Sequence, residues 1–381
     1  MNKNWTYVPF TDVFAWCQKS NIGSREAIEN GKYKLFVASA TEIKRYDTFL
    51  EDGERLVFGT GGNPCIHYVN EAFSYTNHTE CAKPICEDAF VKFYYYYFQK
   101  DKYNALQSTF VGGGIKNSSK KKIGALLVPQ IDYTEQKRIV SRIEELFSEL
   151  DNGVETLKKT KQQIAVYRQA VLKSVLDGYK TDIKMVRIGD VCQDVKVGIV
   201  IKPTQYYVPC GGVRAFRNAN VRRNYIEDTD WAMISQEGHK KNIHSEVHTG
   251  DVLIARSGVN LGMAAAVSEK FDGYNAIDVV IAVPKCDVIL PQYLAYYTNS
   301  PYGINSVKRN QRGVAQGHLN INVYGKLPLM LPKIEIQKKI ISEIEARISI
   351  CDSIEKTVDT ALQQAEAMRQ SILKKAFEGE L

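Results

Sequence analysis

The stretch QKRIVSRIEELFSELDNGVETLKKTKQQIAVYRQAVLKSVLDG, residues 136–178, returns in altered form as QKKIISEIEARISICDSIEKTVDTALQQAEAMRQSILKKAFEG, residues 337–379. The two stretches align without a gap at a separation of 201 residues, and 16 of the 43 aligned positions are identical. Unrelated segments do not reach this similarity by chance, so the chain contains an internal repeat. The repeat organises the interpretation of the remaining sequence.

Weaker similarity extends upstream of each copy at a separation of 203 residues. It aligns residues 90–94 with 293–297, residues 111–114 with 314–317, and residues 127–129 with 330–332. The change of separation predicts that the two copies differ by two residues in length just ahead of the repeated stretch. The chain is therefore predicted to be a tandem duplication of two half-units. Each half-unit consists of a globular segment followed by the repeated stretch.

Each repeated stretch is predicted to be a long helix with a narrow apolar seam, because apolar residues recur at alternating spacings of three and four. Pro129 and Pro332 lie just upstream, Asp132 or Thr134 is placed to cap the first helix, and Gly178 and Gly379 occupy the expected C-terminal positions. About 42 residues give a helix roughly 60 Å long. The predicted seam consists of Ile139, Ile143, Leu146, Leu150, Leu157, Ile164, Tyr167 and Val171 in the first helix, and Ile340, Ile344, Cys351, Ile354, Val358, Ala365, Met368 and Ile372 in the second.

The two helices are predicted to pair antiparallel. Only residues 179–182 separate the first helix from the second globular segment, which should be roughly 40 Å across. Parallel pairing would require this segment to return the chain by the whole length of the helix, whereas antiparallel pairing needs no return. The predicted fold class is α+β: two mixed α/β domains joined by two long helices that form an antiparallel coiled coil with internal pseudo-two-fold symmetry.

The composition is that of an ordinary globular protein, with 44% hydrophobic and 24% charged residues among 381. No apolar stretch is long enough to span a membrane, and the N-terminal residues show no export signal. The eight scattered cysteines form no CxxC pair and are expected to be reduced thiols in the cytoplasm. The net charge is +7; the two helical segments together carry −1 and the remaining chain carries +8, which favours a polyanionic partner.

No catalytic motif is found: GxxxxGK[ST], GxGxxG, HExxH and GxSxG are all missing, and no catalytic residue is assigned. His67, His78, Cys81 and Cys86 match no common zinc spacing, so buried thiols and loop histidines are expected there. The loop with His239, His244 and His248 is interpreted as solvated or facing phosphate. No metal site is predicted.

Polar and basic loops are the better functional signal. Arg, Asn and Gln are the side chains that make paired contacts with base edges, and Lys more often meets phosphate; the alternative for each residue is a solvated surface. Tyr94–Tyr97 are instead predicted to pack in the core of a short helix. The DNA-binding candidates are Lys44, Arg45, Asn77, Lys116, Lys120, Lys121, Arg214, Arg217, Asn218, Asn220, Arg222, Arg223, Arg256, Lys308, Arg309, Arg312, Gln316 and His318.

The repeated helices resemble the two conserved regions of type I restriction–modification specificity (S) subunits. The resemblance rests on EQKRIV at 135–140 with IEELF at 143–147, on YRQAVLK at 167–173, and on MRQSILKKAFEG at 368–379. Departures are the two extra residues between Pro129 and Gln136, and Ile336 where a glutamate is usual. The layout implies residues 1–128 and 179–331 as target recognition domains, with residues 129–178 and 332–381 as conserved spacer helices.

The resemblance implies a non-catalytic protein that reads a split, asymmetric target in double-stranded DNA. It further implies docking of two methyltransferase (M) subunits and of restriction (R) subunits, with S-adenosylmethionine, ATP and magnesium belonging to those partners and no cofactor on this chain. Two alternatives remain open: a stand-alone DNA-binding regulator, and a structural coiled-coil adaptor, which the basic loops disfavour. An enzyme is the least favoured class.

Overall fold

The computed structural model describes residues 5–180, 183–310 and 318–381. By its internal contacts the chain divides into two compact units. Unit 1 comprises Met1–Lys159 with Val358–Leu381, and unit 2 comprises Thr160–Thr357. Both long helices are therefore divided between the two units, and each contributes part of its length to each unit.

Unit 1 contains two sheets, a two-stranded ribbon and a helix that packs on the larger sheet. Its strands are β1 Thr6–Pro9, β2 Phe14–Trp16, β3 Tyr33–Phe36, β4 Ile43–Tyr46, β5 Glu54–Gly59, β6 Cys65–Asn70, β7 Phe73–Tyr75, β8 Thr79–Pro84 and β9 Leu127–Gln130. Its helices are α1 Val91–Gln99, α2 Asn104–Gln107, α3 Lys120–Gly124, the first part of α4 Tyr133–Gly178 and the last part of α9 Ile334–Glu378. The sheets have the strand orders β2-β8-β5-β6 and β4-β3-β7, and β1 pairs with β9.

Unit 2 repeats this arrangement of elements. Its strands are β10 Lys184–Arg187, β11 Cys192–Val197, β12 Val213–Phe216, β13 Ala232–Ile234, β14 Glu246–Val247, β15 Val252–Ala255, β16 Ala264–Ala266, β17 Tyr274–Ala276, β18 Val279–Pro284 and β19 Pro328–Leu331. Its helices are α5 Gln236–Lys241, α6 Pro291–Asn299, α7 Pro301–Asn310, α8 Ile321–Gly325 and the first part of α9 Ile334–Glu378. The sheets are β11-β18-β15-β16 and β13-β12-β17-β14, and β10 pairs with β19.

The sheet β11-β18-β15-β16 is the larger of the two in unit 2 because its strands are longer, and β13-β12-β17-β14 is the smaller. The strands β15 and β18 of the larger sheet are buried on both faces, which explains their nearly unbroken apolar sequences. Along β15, Val252 and Ile254 face one core, which includes Tyr293 and Leu294 of α6. The alternating residue Leu253 faces a second core, which includes Phe216 of the smaller sheet. Side chains of a strand point alternately to opposite faces. The sheet thus separates the helical layer of unit 2 from its smaller sheet.

The long helices pair antiparallel in both units, as predicted. In unit 1, Ile143 near the start of α4 shares a core with Phe377 near the end of α9. In unit 2, Leu172 near the end of α4 shares a core with Ile340 near the start of α9. An ion pair joins the helices at equivalent positions: Arg369 with Asp151 in unit 1, and Arg168 with Asp352 at 2.6 Å in unit 2.

Parts of the predicted seam are wrong. Tyr167, Ile354 and Met368 are exposed, whereas Phe147 and Phe377, which the seam omits, are buried. The reason is that a straight helix drifts relative to a strict seam, and the helix ends pack on the globular parts. Phe377 contacts Phe93 of α1 at 5.3 Å between ring centroids.

The helix ends and the tyrosine-rich helix agree with the sequence in most respects. Asp132 caps α4, since its side chain accepts a 2.8 Å hydrogen bond from the Thr134 amide. Gly379 has a positive φ of 81° after α9, but Gly178 is still helical. On α1, Tyr94 and Tyr97 are buried, which confirms the core interpretation for these two, whereas Tyr95 and Tyr96 are half-buried.

The predicted upstream alignment is wrong in register. The Gln136 side chain accepts a 2.9 Å hydrogen bond from the Phe90 amide, and the equivalent Gln337 accepts a 2.8 Å bond from the Leu290 amide. Phe90 therefore corresponds to Leu290, a separation of 200 and not 203. Both glutamines also donate to the carbonyl five residues earlier, so the two-residue length difference ahead of the helices does not exist.

Candidate nucleic-acid interface

Unit 1 brings three distant chain segments together in one surface, which we call the loop surface of unit 1. The segments are the turn at 60–62 after β5, the turn at 77–78 before β8, and residues 116–121 leading into α3. The Thr60 amide donates to the His78 carbonyl at 3.0 Å, and the Ser118 amide donates to the Thr60 carbonyl at 2.8 Å. Backbone hydrogen bonds thus fix all three segments relative to one another.

Most unit 1 candidates lie on this surface. Asn77, Lys116 and Lys121 are exposed there. Lys120 is half-buried, 3.2 Å from the Glu80 carboxylate, and donates to the Cys17 carbonyl. The structure therefore leaves the charges of Lys116 and Lys121 more available to an anionic ligand than that of Lys120.

Two open cavities border the loop surface of unit 1. One of about 510 Å³ is lined by Lys44, Thr76, His78 and Asn117, among others. The other, of about 480 Å³, is lined by Asn77, Lys120 and Lys121, together with Lys19, which the sequence interpretation missed. Lys19 lies in a neutral local sequence, and only the fold brings it to the other lysines.

Lys44 and Arg45 are neighbours in sequence but are placed differently. The Lys44 ammonium donates to the Ser24 carbonyl at 3.0 Å and lines the larger cavity. Arg45 is exposed, and its guanidinium lies 3.5 Å from the Lys32 carbonyl. Successive strand residues face opposite sides of a sheet, so only Lys44 borders the loop surface.

Unit 2 has a loop surface in the equivalent place, formed by the turn at 256–262 after β15, Asp278 before β18, and residues 318–320 before α8. The Leu319 amide donates to the Arg256 carbonyl at 2.8 Å, which corresponds to the Ser118–Thr60 bond of unit 1. Arg256 therefore occupies the position that Thr60 holds in unit 1. Side chains at this shared position differ completely.

Asn218 joins these segments through its side chain. Its oxygen accepts from the Arg256 amide at 2.7 Å, and its nitrogen donates to the Ser257 hydroxyl at 2.9 Å and the Asp278 carbonyl at 3.0 Å. With these bonds made, the Asn218 amide supports the surface and does not present free groups to a base.

Asn220 requires a correction of the same kind. Its side chain is 1% exposed, accepts from the Arg217 amide at 2.9 Å, and donates to the carbonyls of Glu227 and Thr229. An amide buried among backbone groups cannot contact a base edge in this conformation. Sequence alone does not distinguish such an asparagine from an exposed one.

The arginines of this region separate into different environments. Arg222 donates to the Asn260 side chain at 2.9 Å, within the loop surface. Arg217 is ion-paired with Asp230 at 2.9 Å.

Two further arginines lie elsewhere. Arg214 donates to the Tyr274 hydroxyl at 3.1 Å on the smaller sheet. Arg223 lines a cavity of about 340 Å³ together with Arg168 and Asp352 of the long helices.

The end of α7 lies beside the turn at 256–262. A Cβ at Gly262 would be 3.3 Å from Val307, and the next residues, Lys308 and Arg309, are exposed. His318 is exposed next to Leu319. Arg312 and Gln316 lie outside the described residues.

The histidines and cysteines that resemble metal ligands in sequence are separated in space. His67 Nε2 lies 2.8 Å from the Ser39 carbonyl, and burial lowers the pKa of this histidine. Cys81 is buried beside Cys17, and that contact together with burial raises the pKa of the Cys81 thiol. Within residues 5–180, 183–310 and 318–381, no group of three or more His, Cys, Asp or Glu side chains is placed to hold a metal ion. The same residues contain no helix long and apolar enough to cross a membrane.

A family profile described as "Type I restriction modification DNA specificity domain" matches residues 2–165 and again residues 180–364. Among curated proteins, the chain is 25% identical over 327 residues to the specificity subunit of the type I restriction enzyme EcoBI of Escherichia coli, covering 80% of this chain and 69% of that protein. It is 24% identical over 299 residues to the EcoKI specificity subunit of Escherichia coli strain K12, covering 73% and 62%. The chain thus matches about two thirds of the length of these relatives.

Solved structures agree in fold. A chain from a study titled "Structural basis underlying complex assembly and conformational transition of the type I R-M system" has a TM-score of 0.73 at 16% identity, covering 100% of this chain and 99% of that one. The HsdS subunit from Thermoanaerobacter tengcongensis gives a TM-score of 0.51 at 17% identity, covering 100% and 98%.

Proposed function

This chain belongs to the type I restriction–modification DNA specificity family, and from that premise we propose that it is a specificity subunit whose two units each read one part of a split DNA target. The observation that carries the proposal is the equivalence of the two loop surfaces. Both are fixed by the same backbone hydrogen bond, from Ser118 to Thr60 and from Leu319 to Arg256. The same support therefore presents different side chains, as two readers of different half-targets require.

The exposed charges on and beside these surfaces suit contact with DNA. Lys116 and Lys121 are exposed on the loop surface of unit 1, as is Asn77, and Lys308 and Arg309 are exposed at the end of α7, beside the loop surface of unit 2. Lysines of this kind neutralise phosphates without reading sequence, and arginines and amides supply the discrimination. Each loop surface thus offers both kinds of contact.

The long helices are proposed to dock methyltransferase and restriction subunits. In unit 2 they expose large apolar side chains, including Ile350 and Ile354, which lie one turn apart on the same face of α9. Exposed apolar side chains on a helix are typical of an interface with another protein. Two M subunits are proposed, because the half-unit occurs twice in this chain.

Chemistry is proposed to reside in the partners. The chain has none of the nucleotide-binding or hydrolase motifs sought in its sequence. S-Adenosylmethionine, ATP and magnesium are therefore assigned to the M and R subunits, and this chain supplies recognition and assembly.

The decisive experiment replaces residues 179–327 with the matching segment of a relative and sequences the adenine methylome of a host that also expresses the M subunit. We expect one half of the methylated target to change while the other half and the gap between them stay the same. A change of both halves, or of the gap with the helices untouched, would contradict the proposal. Methylation that is independent of this chain would also reject it.

A further inference from the structure

Arg256 is the basic side chain most firmly held on the loop surface of unit 2. Its Nη1 lies 3.1 Å from Asp278 Oδ1, and the side chain is only 19% exposed. Its amide and its carbonyl are both bound, to Asn218 and to the Leu319 amide. The backbone and one edge of the guanidinium are therefore fixed before any ligand arrives.

The guanidinium nevertheless retains unused donors. Among the described residues neither Nε nor Nη2 has a hydrogen-bond partner, and of these two atoms only Nε is buried. An arginine has five N–H donors in a planar fork, and a single ion pair at Nη1 satisfies only part of them. The buried Nε is out of reach of a base, so the Nη groups at the end of the fork are the donors that a base edge can meet.

Asp278 is itself held in an unusual conformation. Its φ is +52°, in the left-handed region, which few residues other than glycine, asparagine and aspartate adopt. Its amide donates to the Ile199 carbonyl at 3.1 Å, and its carbonyl accepts from Asn218. The surrounding bonds thus hold Asp278 in a conformation in which its carboxylate faces Arg256.

In unit 1, Thr60 occupies the position of Arg256 and forms no ion pair like that between Arg256 and Asp278. The Thr60 hydroxyl donates to the His78 carbonyl at 2.8 Å, so the side chain is turned to its own backbone. In unit 1 the Thr60 side chain therefore supports its own loop. The backbone hydrogen bond from Ser118 to Thr60 nevertheless corresponds to the bond from Leu319 to Arg256 in unit 2. A long arginine and its acidic partner are specific to unit 2.

We propose that Arg256 is a specificity-determining residue that reads a guanine in the half-target of unit 2, and that Asp278 is a positioning residue that fixes the guanidinium. This inference rests on the proposed function. Arginine is the usual reader of guanine, because its fork matches the O6 and N7 acceptors in the major groove. Fixing the side chain in advance removes the entropy that a free arginine loses on binding.

The test uses the full complex of this chain with its M subunits, on duplexes that carry the methylated target of the wild type with each base pair varied in turn. Arg256→Ala should reduce discrimination at one G·C pair of one half-target by about 5- to 150-fold, and leave the other half-target unchanged. Arg256→Lys keeps a cation beside Asp278 but lacks the fork, so it should lose the same discrimination. This variant also decides the question if Arg256→Ala does not fold.

Asp278→Asn tests positioning, since asparagine tolerates a positive φ. It should weaken discrimination at the same base pair, and combining it with Arg256→Ala should add nothing further. Lys285→Ala is the control: it removes one positive charge of unit 2 at the opposite end of β18, about 20 Å from Asp278. It should leave the preference at every base pair intact.

The outcomes distinguish failure of the proposed function from failure of this inference. If the wild-type complex methylates no split target, the proposed function fails. If it does, but Arg256→Lys keeps the wild-type preference at every base pair, Arg256 is only a structural ion pair and this inference is wrong. A uniform loss of affinity in the Arg256 variants, without loss of discrimination at one pair, makes Arg256 a phosphate contact and also overturns it.

Discussion

Replacing Gln337 by methionine should destabilise unit 2 by about 3 kcal/mol. The side chain is fully buried and makes three hydrogen bonds: it accepts from the Leu290 amide at 2.8 Å and donates to the Val288 and Pro332 carbonyls, each at 2.9 Å. Methionine keeps the length and packing but makes none of them. At about 1 kcal/mol of net stability for each bond, the loss is about 3 kcal/mol.

The assay is guanidinium denaturation followed by circular dichroism, with hydrogen–deuterium exchange to locate the effect. Exchange should accelerate around Leu290, whose amide loses its acceptor. Gln162→Met is the matched control, because this glutamine lies exposed on α4 within the same unit and should change stability by less than about 0.5 kcal/mol.

Gln136 makes the same three bonds in unit 1, so Gln136→Met should reproduce the loss there. A loss below about 1 kcal/mol for both buried glutamines would refute the reasoning. It would mean that the backbone groups at the helix start find other partners.

Three further predictions concern unit 1. Burial depresses the pKa of His67, so its contribution to stability is present above the unfolded value near 6.5 and is lost as pH falls below it; His67→Asn should flatten this part of a pH-dependent unfolding curve. Arg369→Met removes an ion pair to Asp151 and a cation–π contact 4.5 Å from the Phe147 ring, and should cost about 1 kcal/mol in thermal unfolding; an unchanged midpoint would contradict this. Lys121→Ala should weaken binding of the complex to all DNA sequences alike and reduce the slope of affinity against salt, as measured by titration; a change in sequence preference would exclude a phosphate contact.

The repeat and its periodicity were sufficient to predict two long helices, their antiparallel pairing and the duplication of a mixed α/β globular segment. Helix length and apolar spacing are local properties of the sequence. The short connection at 179–182 favoured antiparallel pairing, because parallel pairing would require the chain to return by the whole length of the helix. The exposure of Tyr167, Ile354 and Met368 could not be predicted, because it depends on how the helix ends pack against the globular parts.

The alignment upstream of the helices failed for a different reason. α1 and α6 are both rich in tyrosine, so a shift of a few residues matches one tyrosine to another. The true register is set by Gln136 and Gln337, whose amides bind the backbone ahead of each helix. Both glutamines stood among the identical positions, but identity alone does not show a hydrogen bond.

Residue types in the sequence were sufficient to find the loops of the candidate interface. They were not sufficient to tell which residues within those loops have side chains free to bind a ligand. The segments around Asn77, Lys116 and Arg256 do meet in the two loop surfaces. Asn218 and Asn220, however, are used by the backbone, and Asp278 was not considered. An amide satisfies a carbonyl as readily as a base edge, so its role follows only from the fold.

In both units the chain enters and leaves the sheets through one antiparallel ribbon, with Thr6 opposite Gln130 and Lys184 opposite Leu331. Ladder hydrogen bonds join backbone groups and do not depend on the side chains carried between the two strands. In the gene, two recombination crossovers are enough to exchange a globular segment. One falls within the codons of the first ribbon strand and the other within those of the second, and the contiguous coding stretch between them is replaced. Such an exchange delivers a new loop surface while the first turn of the following helix keeps its place, whatever the length of the inserted stretch.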